Sequence, residues 1–181
     1  FKSEKMAALE STPGFGWAGA GVFQKGKSKT LAVPMETHRS SRLKLCDILK
    51  SNGASGIVLL KGGDEQNQYD TDTELVFRQD SWFHYLFGVK EPGMYGAIDI
   101  ASGKTTVFIP RLPAEWEIWC GKIHTPESFQ LSYAVDEILY VEDISDWLNK
   151  SCLFSNNSDN KMKLHLMDGI NSDSGLRAIP A

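Results

Sequence analysis

The chain has 181 residues, 41% of them apolar and 23% charged, with a formal net charge of −4. A chain of this length buries roughly 70% of the surface it exposes when unfolded, so it needs no disulfide or metal staple for a core. Mild acidity and ordinary composition give no reason to expect nucleic acid or an anionic membrane as partner. Three widely spaced cysteines, Cys46, Cys120 and Cys152, fit neither a disulfide framework nor a zinc ribbon and read as reduced thiols of a cytoplasmic protein.

The first thirty residues are glycine-rich, with a basic Lys25-Gly-Lys-Ser-Lys29 run, and read as a tail or an edge segment. No apolar signal segment occupies Phe1 to Glu10. The first residue is Phe rather than Met, so the chain is expected to begin inside a longer protein. The triplets starting at Asn149 and Asn156 match the glycosylation pattern but carry no weight without a secretory signal. From Glu36 to Lys50 the spacing of Leu43, Leu45, Cys46, Ile48 and Leu49 predicts a helix, with Arg39, Arg42 and Lys44 on its polar side. Ile57-Val-Leu-Leu60 reads as a strand buried on both faces, and the polar stretch Lys61 to Gln68 as a loop.

The stretch Glu74 to Pro110 is the most structured part of the sequence. A dense aromatic cluster ends at Glu91-Pro92-Gly93, a turn signal in which Pro pre-sets φ and Gly accepts a positive φ. Beyond it, Tyr95 to Ile100 and Thr105 to Ile109 predict a hairpin closed by Ala101 to Lys104. Arg111 to Gly121 is too irregular for a regular element and too aromatic for a bland loop, which suggests a surface contact. Thr125-Pro126-Glu127 is a helix start, since Thr caps orphan N–H groups and Pro suits the first helical position. That helix is expected to reach about Tyr133. A strand over Ile138 to Val141, a helix opened by Glu142-Asp143, a polar and mobile run over Ser151 to Asn160, a strand over Lys163 to Met167 and a turn over Asn171 to Gly175 complete the chain. Strands alternating with helices, plus a hairpin, define an α/β fold with a mixed sheet flanked by helices.

No motif supplies a self-sufficient reaction centre. Gly103-Lys104-Thr105 lacks the upstream glycine of a phosphate-binding loop, since Ile98 stands there. His38, His84, His124 and His165 are too far apart in sequence for a metal-binding pattern. The pairs Asp64-Glu65, Asp70/Asp72 and Glu142-Asp143 read as a solvated loop, a turn and a helix start rather than as ligands or acid–base groups. No Gly-x-Ser-x-Gly elbow places a serine nucleophile. Cys120 near His124 has no third group to orient a thiol–imidazole pair.

Five segments nevertheless occur together in a telling order: Phe77-Arg78-Gln79-Asp80-Ser81, Phe83 to Gly88, Glu91-Pro92-Gly93, Pro110-Arg111-Leu112-Pro113 and Gly121-Lys122-Ile123-His124. Together they resemble the amino-terminal domain of prolidase, the Xaa-Pro dipeptidase, within the aminopeptidase P and creatinase superfamily. The resemblance runs from about Leu31 to about Gly175, which divides the chain into a segment 1–30 and a domain 31–181. It implies the creatinase/aminopeptidase P amino-terminal fold, ribonuclease H-like in type. It further implies a parent enzyme that hydrolyses Xaa-Pro dipeptides with a divalent metal pair, manganese being the expected ion. In the family two Asp, one His and two Glu hold those metals in a separate carboxy-terminal domain, so this chain by itself is expected to be inactive.

Family amino-terminal domains mediate oligomer contacts, here expected to be those of a homodimer, and wall the mouth of the active site. On that basis Trp119 is the first candidate for a residue that gates the substrate, against a bland reading as a half-buried aromatic at the sheet edge. His84 is the second, although the cluster around it reads as core. Arg78 is expected in a buried ion pair or in backbone hydrogen bonds that pin its loop. Arg78, Gln79, Pro92 and Gly93 form the structural motif. Two other readings stay open: an Xaa-Pro aminopeptidase domain, and a non-catalytic protein-binding relative like the histone-chaperone branch of the superfamily.

Overall fold

The computed structural model describes residues 22–23, 30–153 and 162–181. Most of the segment 1–30 and of the polar run 151–160 therefore lies outside the described residues. A short antiparallel ribbon pairs β1 (Val22–Phe23) with β2 (Val33–Pro34). It leads into α1 (Glu36–Ser51), which ends at Asn52 with the following Gly53 at φ 72° donating to Lys50 O. The helix lies where its spacing placed it, but its face differs. Arg42 is buried on it with His38 and Cys46, whereas Leu43 and Ile48 are exposed. Positions 38, 42 and 46 lie one turn apart, so they share a single stripe.

Strand β3 (Ile57–Lys61) is buried on both faces through Leu60, as expected. Helix α2 (Ser81–Phe87) spans the aromatic cluster, which at seven residues is too short to announce itself by periodicity. Its ends are well formed. Asp80 Oδ1 accepts from Phe83 N at 2.8 Å, and Gly88 closes the helix at φ 68°.

The predicted hairpin is β4 (Tyr95–Asp99) with β5 (Thr105–Ile109), paired antiparallel. Asp99 organises its turn, accepting from Ala101 N and Ser102 Oγ on its two carboxylate oxygens. The irregular stretch that follows is more ordered than its sequence suggests: a 3-10 turn (Ala114–Trp116) runs into one helical turn, α3 (Glu117–Cys120). Helix α4 (Pro126–Tyr133) starts as read, with Thr125 Oγ1 accepting from Ser128 N. Strand β6 (Glu137–Tyr140) follows, then a 3-10 turn (Val141–Asp143) and α5 (Ile144–Leu153). The last strand is shorter than expected, β7 covering only Leu164–His165.

The sheet order is β6-β5-β4-β3-β7. β4 is antiparallel to both neighbours, while β6 and β7 run parallel to β5 and β3. The parallel β5–β6 pair needs a crossover, which α4 supplies. Alternation along the strands splits the core in two. Val58, Leu60, Ile98, Val107 and Ile109 pack with Cys46 of α1, with Phe83, Leu86 and Phe87 of α2 and with Tyr133 of α4. On the other face Ile57, Leu59, Ala97 and Phe108 meet Ile144, Trp147 and Leu148, with Phe108 edge-on to Trp147 at 5.4 Å. The result is an α/β domain with helices on both faces of a mixed sheet.

Candidate functional site

One amide side chain ties together the three loops at the end of β3. Gln79 Oε1 accepts from Gly63 N at 2.6 Å and from Asp80 N at 2.9 Å, while Nε2 donates to Glu91 O at 2.9 Å. Gly93, at φ 69°, then donates its N–H to Gly63 O at 2.9 Å. The Pro92-Gly93 turn is thus held against the glycine loop after β3, and Gln79 does the pinning expected of its neighbour. Arg78 is exposed instead, and its guanidinium makes no ion pair or hydrogen bond with the described residues. The physical reason is alternation: in an extended segment, adjacent side chains point to opposite sides, and Gln79 takes the inner one. Nearby, Tyr133 Oη donates to Glu91 Oε2 at 2.5 Å. Burial first, and the Glu91 carboxylate second, push the Tyr133 phenol well above its ordinary value.

The segment after β5 raises aromatic side chains off the sheet. Arg111 lies over the Tyr140 ring, 3.6 Å from its centroid, and anchors the start of the segment on β6. The short helix α3 closes at Gly121, with φ 74° and with its N–H donating to Glu117 O at 3.0 Å. Between these anchors Trp119 is 85% exposed, Ile118 80% and Trp116 48%. The half-buried reading of Trp119 at the sheet edge is therefore corrected. Its indole stands on a single helical turn with no strand or helix among the described residues packed over it. A cluster of large exposed apolar side chains is the kind of surface that marks contact with a ligand or another protein.

His84 is likewise not a core residue. It lies on the exposed side of α2, its Nδ1 3.4 Å from Val89 O and its ring 5.8 Å from that of His38. The two candidates occupy different elements, and no ring contact joins them.

Among the buried polar residues, with Thr105, Thr106 and Ser132, are His38 and Arg42, neither of which the sequence marks as a site residue. His38 Nδ1 is 2.9 Å from Tyr85 O, and the ring lies against Gly88, where an added Cβ would meet it at 2.6 Å. Burial lowers the His38 pKa, opposed by the Tyr85 carbonyl and helped by His84 and Arg42. The unfolded chain therefore takes up a proton near pH 6.5 that the folded chain resists. Stability from this group is present above the unfolded value near pH 6.5 and is lost as the pH falls from there through the lower folded-state value. Between pH 7.5 and 5.5 the wild-type melting temperature is expected to fall by more than that of His38→Gln. Equal falls in the two proteins would mean that His38 plays no part.

Among the described residues no three His, Cys, Asp or Glu side chains converge as metal ligands. These residues do not fit a metal pair, and no chemical step through a metal is assigned to them. No helix among them is long and apolar enough to cross a membrane. The acidic pairs have ordinary uses. Asp64 pairs with Lys61 at 2.6 Å, and Asp143 Oδ2 accepts from Tyr140 N. Lys104 lies in the hairpin turn and pairs with Glu137 at 3.0 Å. His124 Nδ1 lies 3.4 Å from Ser128 Oγ, but that hydroxyl is also 2.9 Å from Thr125 O, a second acceptor.

Solved structures share this arrangement. Aminopeptidase P from E. coli, in its low-pH form, superposes with a TM-score of 0.56 at 21% identity, over 66% of this chain and 27% of that one. Aminopeptidase P of Pseudomonas aeruginosa gives 0.54 at 25% identity, over 66% of this chain and 27% of the other. The class is thereby defined: an α/β domain of the type that forms the amino-terminal region of aminopeptidases P. Sequence comparison agrees, because the family model for the aminopeptidase P N-terminal domain matches residues 38–160. The chain belongs to that family. It is 44% identical over 151 residues to the Xaa-Pro dipeptidases of Rattus norvegicus and Homo sapiens, which covers 82% of this chain and 29% of each of those proteins. A probable Xaa-Pro aminopeptidase of Chaetomium globosum is 36% identical over 87 residues, 48% of this chain and 15% of its own length. The chain thus spans under a third of the length of these curated relatives.

Proposed function

We propose that residues 31–181 are the amino-terminal domain of an Xaa-Pro dipeptidase, a cytoplasmic enzyme whose divalent metal pair, expected to be manganese, is held by a carboxy-terminal domain. The observation that carries this is the contrast in likeness: 44% identity over 82% of the chain to dipeptidases, against 36% over 48% to an aminopeptidase. On this reading the domain performs no bond cleavage. It shapes access to the reaction centre and supplies contacts between the two copies of a homodimer.

Trp119 is the residue that meets the dipeptide, with His84 a secondary wall. A rigid aromatic on a short anchored turn offers a flat boundary that loses little entropy when a ligand end packs against it. The full-length protein with manganese is expected to cleave glycyl-proline and to leave a tripeptide with proline in second place intact. Cleavage of the tripeptide alone would assign the aminopeptidase reaction instead, and cleavage of neither would favour a binding module. In the same protein, Trp119→Ala is expected to lower kcat/KM by roughly tenfold, the loss of about 1.4 kcal/mol of transition-state binding. Since the indole is 85% exposed, the melting temperature should stay put. Unchanged kinetics would remove Trp119 from the site.

A further inference from the structure

We propose that a pocket between α1 and the β4–β5 turn binds a phosphate-sized oxyanion. The pocket has a volume of about 160 Å³ and is lined by Arg39, Arg42, Leu43, Ser102 to Thr105, and Asp136. Its floor carries an unusual charge. Arg42 is 2% exposed, and no carboxylate among the described residues lies within ion-pair distance of it. Its two terminal nitrogens donate to backbone carbonyls, Leu86 O at 2.8 Å and Ala134 O at 3.0 Å, and its Nε has no acceptor among the described residues. Carbonyl dipoles satisfy N–H groups but do not neutralise a cation. Burying a charge is costly, the Asp136 carboxylate in the same pocket offsets that cost only in part, and an orphaned N–H adds to it.

Two more cations reach the same pocket from its rim. Arg39 is held by the exposed carboxylate of Glu36 at 3.3 Å, and the half-exposed Lys104 ammonium by Glu137 at 3.0 Å, whose half-buried carboxylate also accepts from Thr106 Oγ1. An exposed pair such as Arg39–Glu36 contributes little and exchanges readily, and Lys104 keeps two N–H donors beyond the one it gives to Glu137. Against them stands the Asp136 carboxylate, whose Oδ2 is occupied by Thr105 N at 2.7 Å. The Ser102 and Thr105 hydroxyls are turned to Asp99 and to Gly103 O, so the donors left to an anion are the cations, and cations on two sides suit an acceptor with several oxygens better than a planar carboxylate with two. The pocket lies on the turn side of the hairpin, so the assignment is independent of the peptidase reading.

The test is thermal unfolding of the 181-residue chain in inorganic phosphate against sodium chloride at equal ionic strength. Phosphate at about ten times its dissociation constant multiplies the folded-to-unfolded ratio roughly elevenfold, which for a chain of this size is a rise in Tm of roughly 4 °C. Acetate is expected to give no comparable rise. The variant Arg39→Gln with Lys104→Gln alters only rim side chains and should abolish the phosphate response while melting close to wild type without it. A rise of equal size in chloride or acetate, or a phosphate response retained in the double variant, overturns the assignment. Backbone amide NMR of the wild type decides independently of any variant: phosphate should shift the amides of Ser102 to Thr105, and shifts confined to other residues overturn the proposal.

Discussion

Arg42→Met is expected to lower the stability of the domain by about 3 kcal/mol, since a buried carbonyl, Leu86 O, and a partly buried one, Ala134 O, lose their donors and each orphaned group costs roughly 1–3 kcal/mol. Methionine keeps the length of the apolar stem, so the loss isolates the guanidinium from its packing. Burial pushes the Arg42 pKa down to about 10, partly offset by Asp136, so the group is still a cation near neutral pH. That desolvated charge works against the two hydrogen bonds. The sign of the effect therefore measures which wins, and two short bonds to carbonyls on separate elements favour the hydrogen bonds. Arg42→Lys should recover less than half of the loss, because one ammonium cannot span Leu86 O and Ala134 O with the geometry of a planar fork. Urea unfolding of the three proteins checks this. A methionine variant within about 0.5 kcal/mol of wild type would mean that the desolvation cost cancels the bonds.

Gly96→Ala carries the second large effect. A Cβ at Gly96 would lie 2.3 Å from Cζ of Phe87 and 2.6 Å from its two Cε atoms. Phe87 is fully buried, with Phe83 at 4.8 Å between ring centroids and the Arg42 guanidinium 5.9 Å from the ring. One added methyl group therefore forces either the ring or strand β4 to move, at an expected cost of about 3 kcal/mol. The remedy identifies the cause. Adding Phe87→Leu to Gly96→Ala should cost less than the sum of the single changes by about 1 kcal/mol or more, because the two sites share one space. Additive losses in a double-mutant cycle would show that the clash is relieved elsewhere.

Much of this fold was legible in the residue order. Thr125-Pro126-Glu127 announced α4 because capping chemistry is local, and a strand covered on both faces announced itself in Ile57 to Leu60 for the same reason. The hairpin from Tyr95 to Ile109 was legible because turn residues and alternation act over a few positions. The run of motifs from Phe77 to His124 was enough to name the family, and comparison with known proteins agrees.

The side-chain environments were less legible. Arg42 was assigned to the solvent face of α1 because a guanidinium ordinarily seeks water, although its spacing from His38 and Cys46 put it on the buried stripe. Leu43 and Ile48 were assigned inward for the complementary reason. His84 was read into the core from its apolar neighbours and faces solvent, because a seven-residue helix turns one side of even an aromatic run outward. Arg78 and Gln79 exchanged roles by one position of alternation.

The sequence by itself determined the longer helices, the central strands, their order and the family, since propensity, capping and alternation are written within a few residues of where they act, whereas the short α2 and α3 were not legible in it. Only the tertiary structure decided which polar groups are buried and what satisfies them. The acceptors of Arg42 lie 44 and 92 residues further along the chain, and a hydrogen bond between such distant groups has no local signature. It exists only once α1, α2 and the end of α4 have packed together.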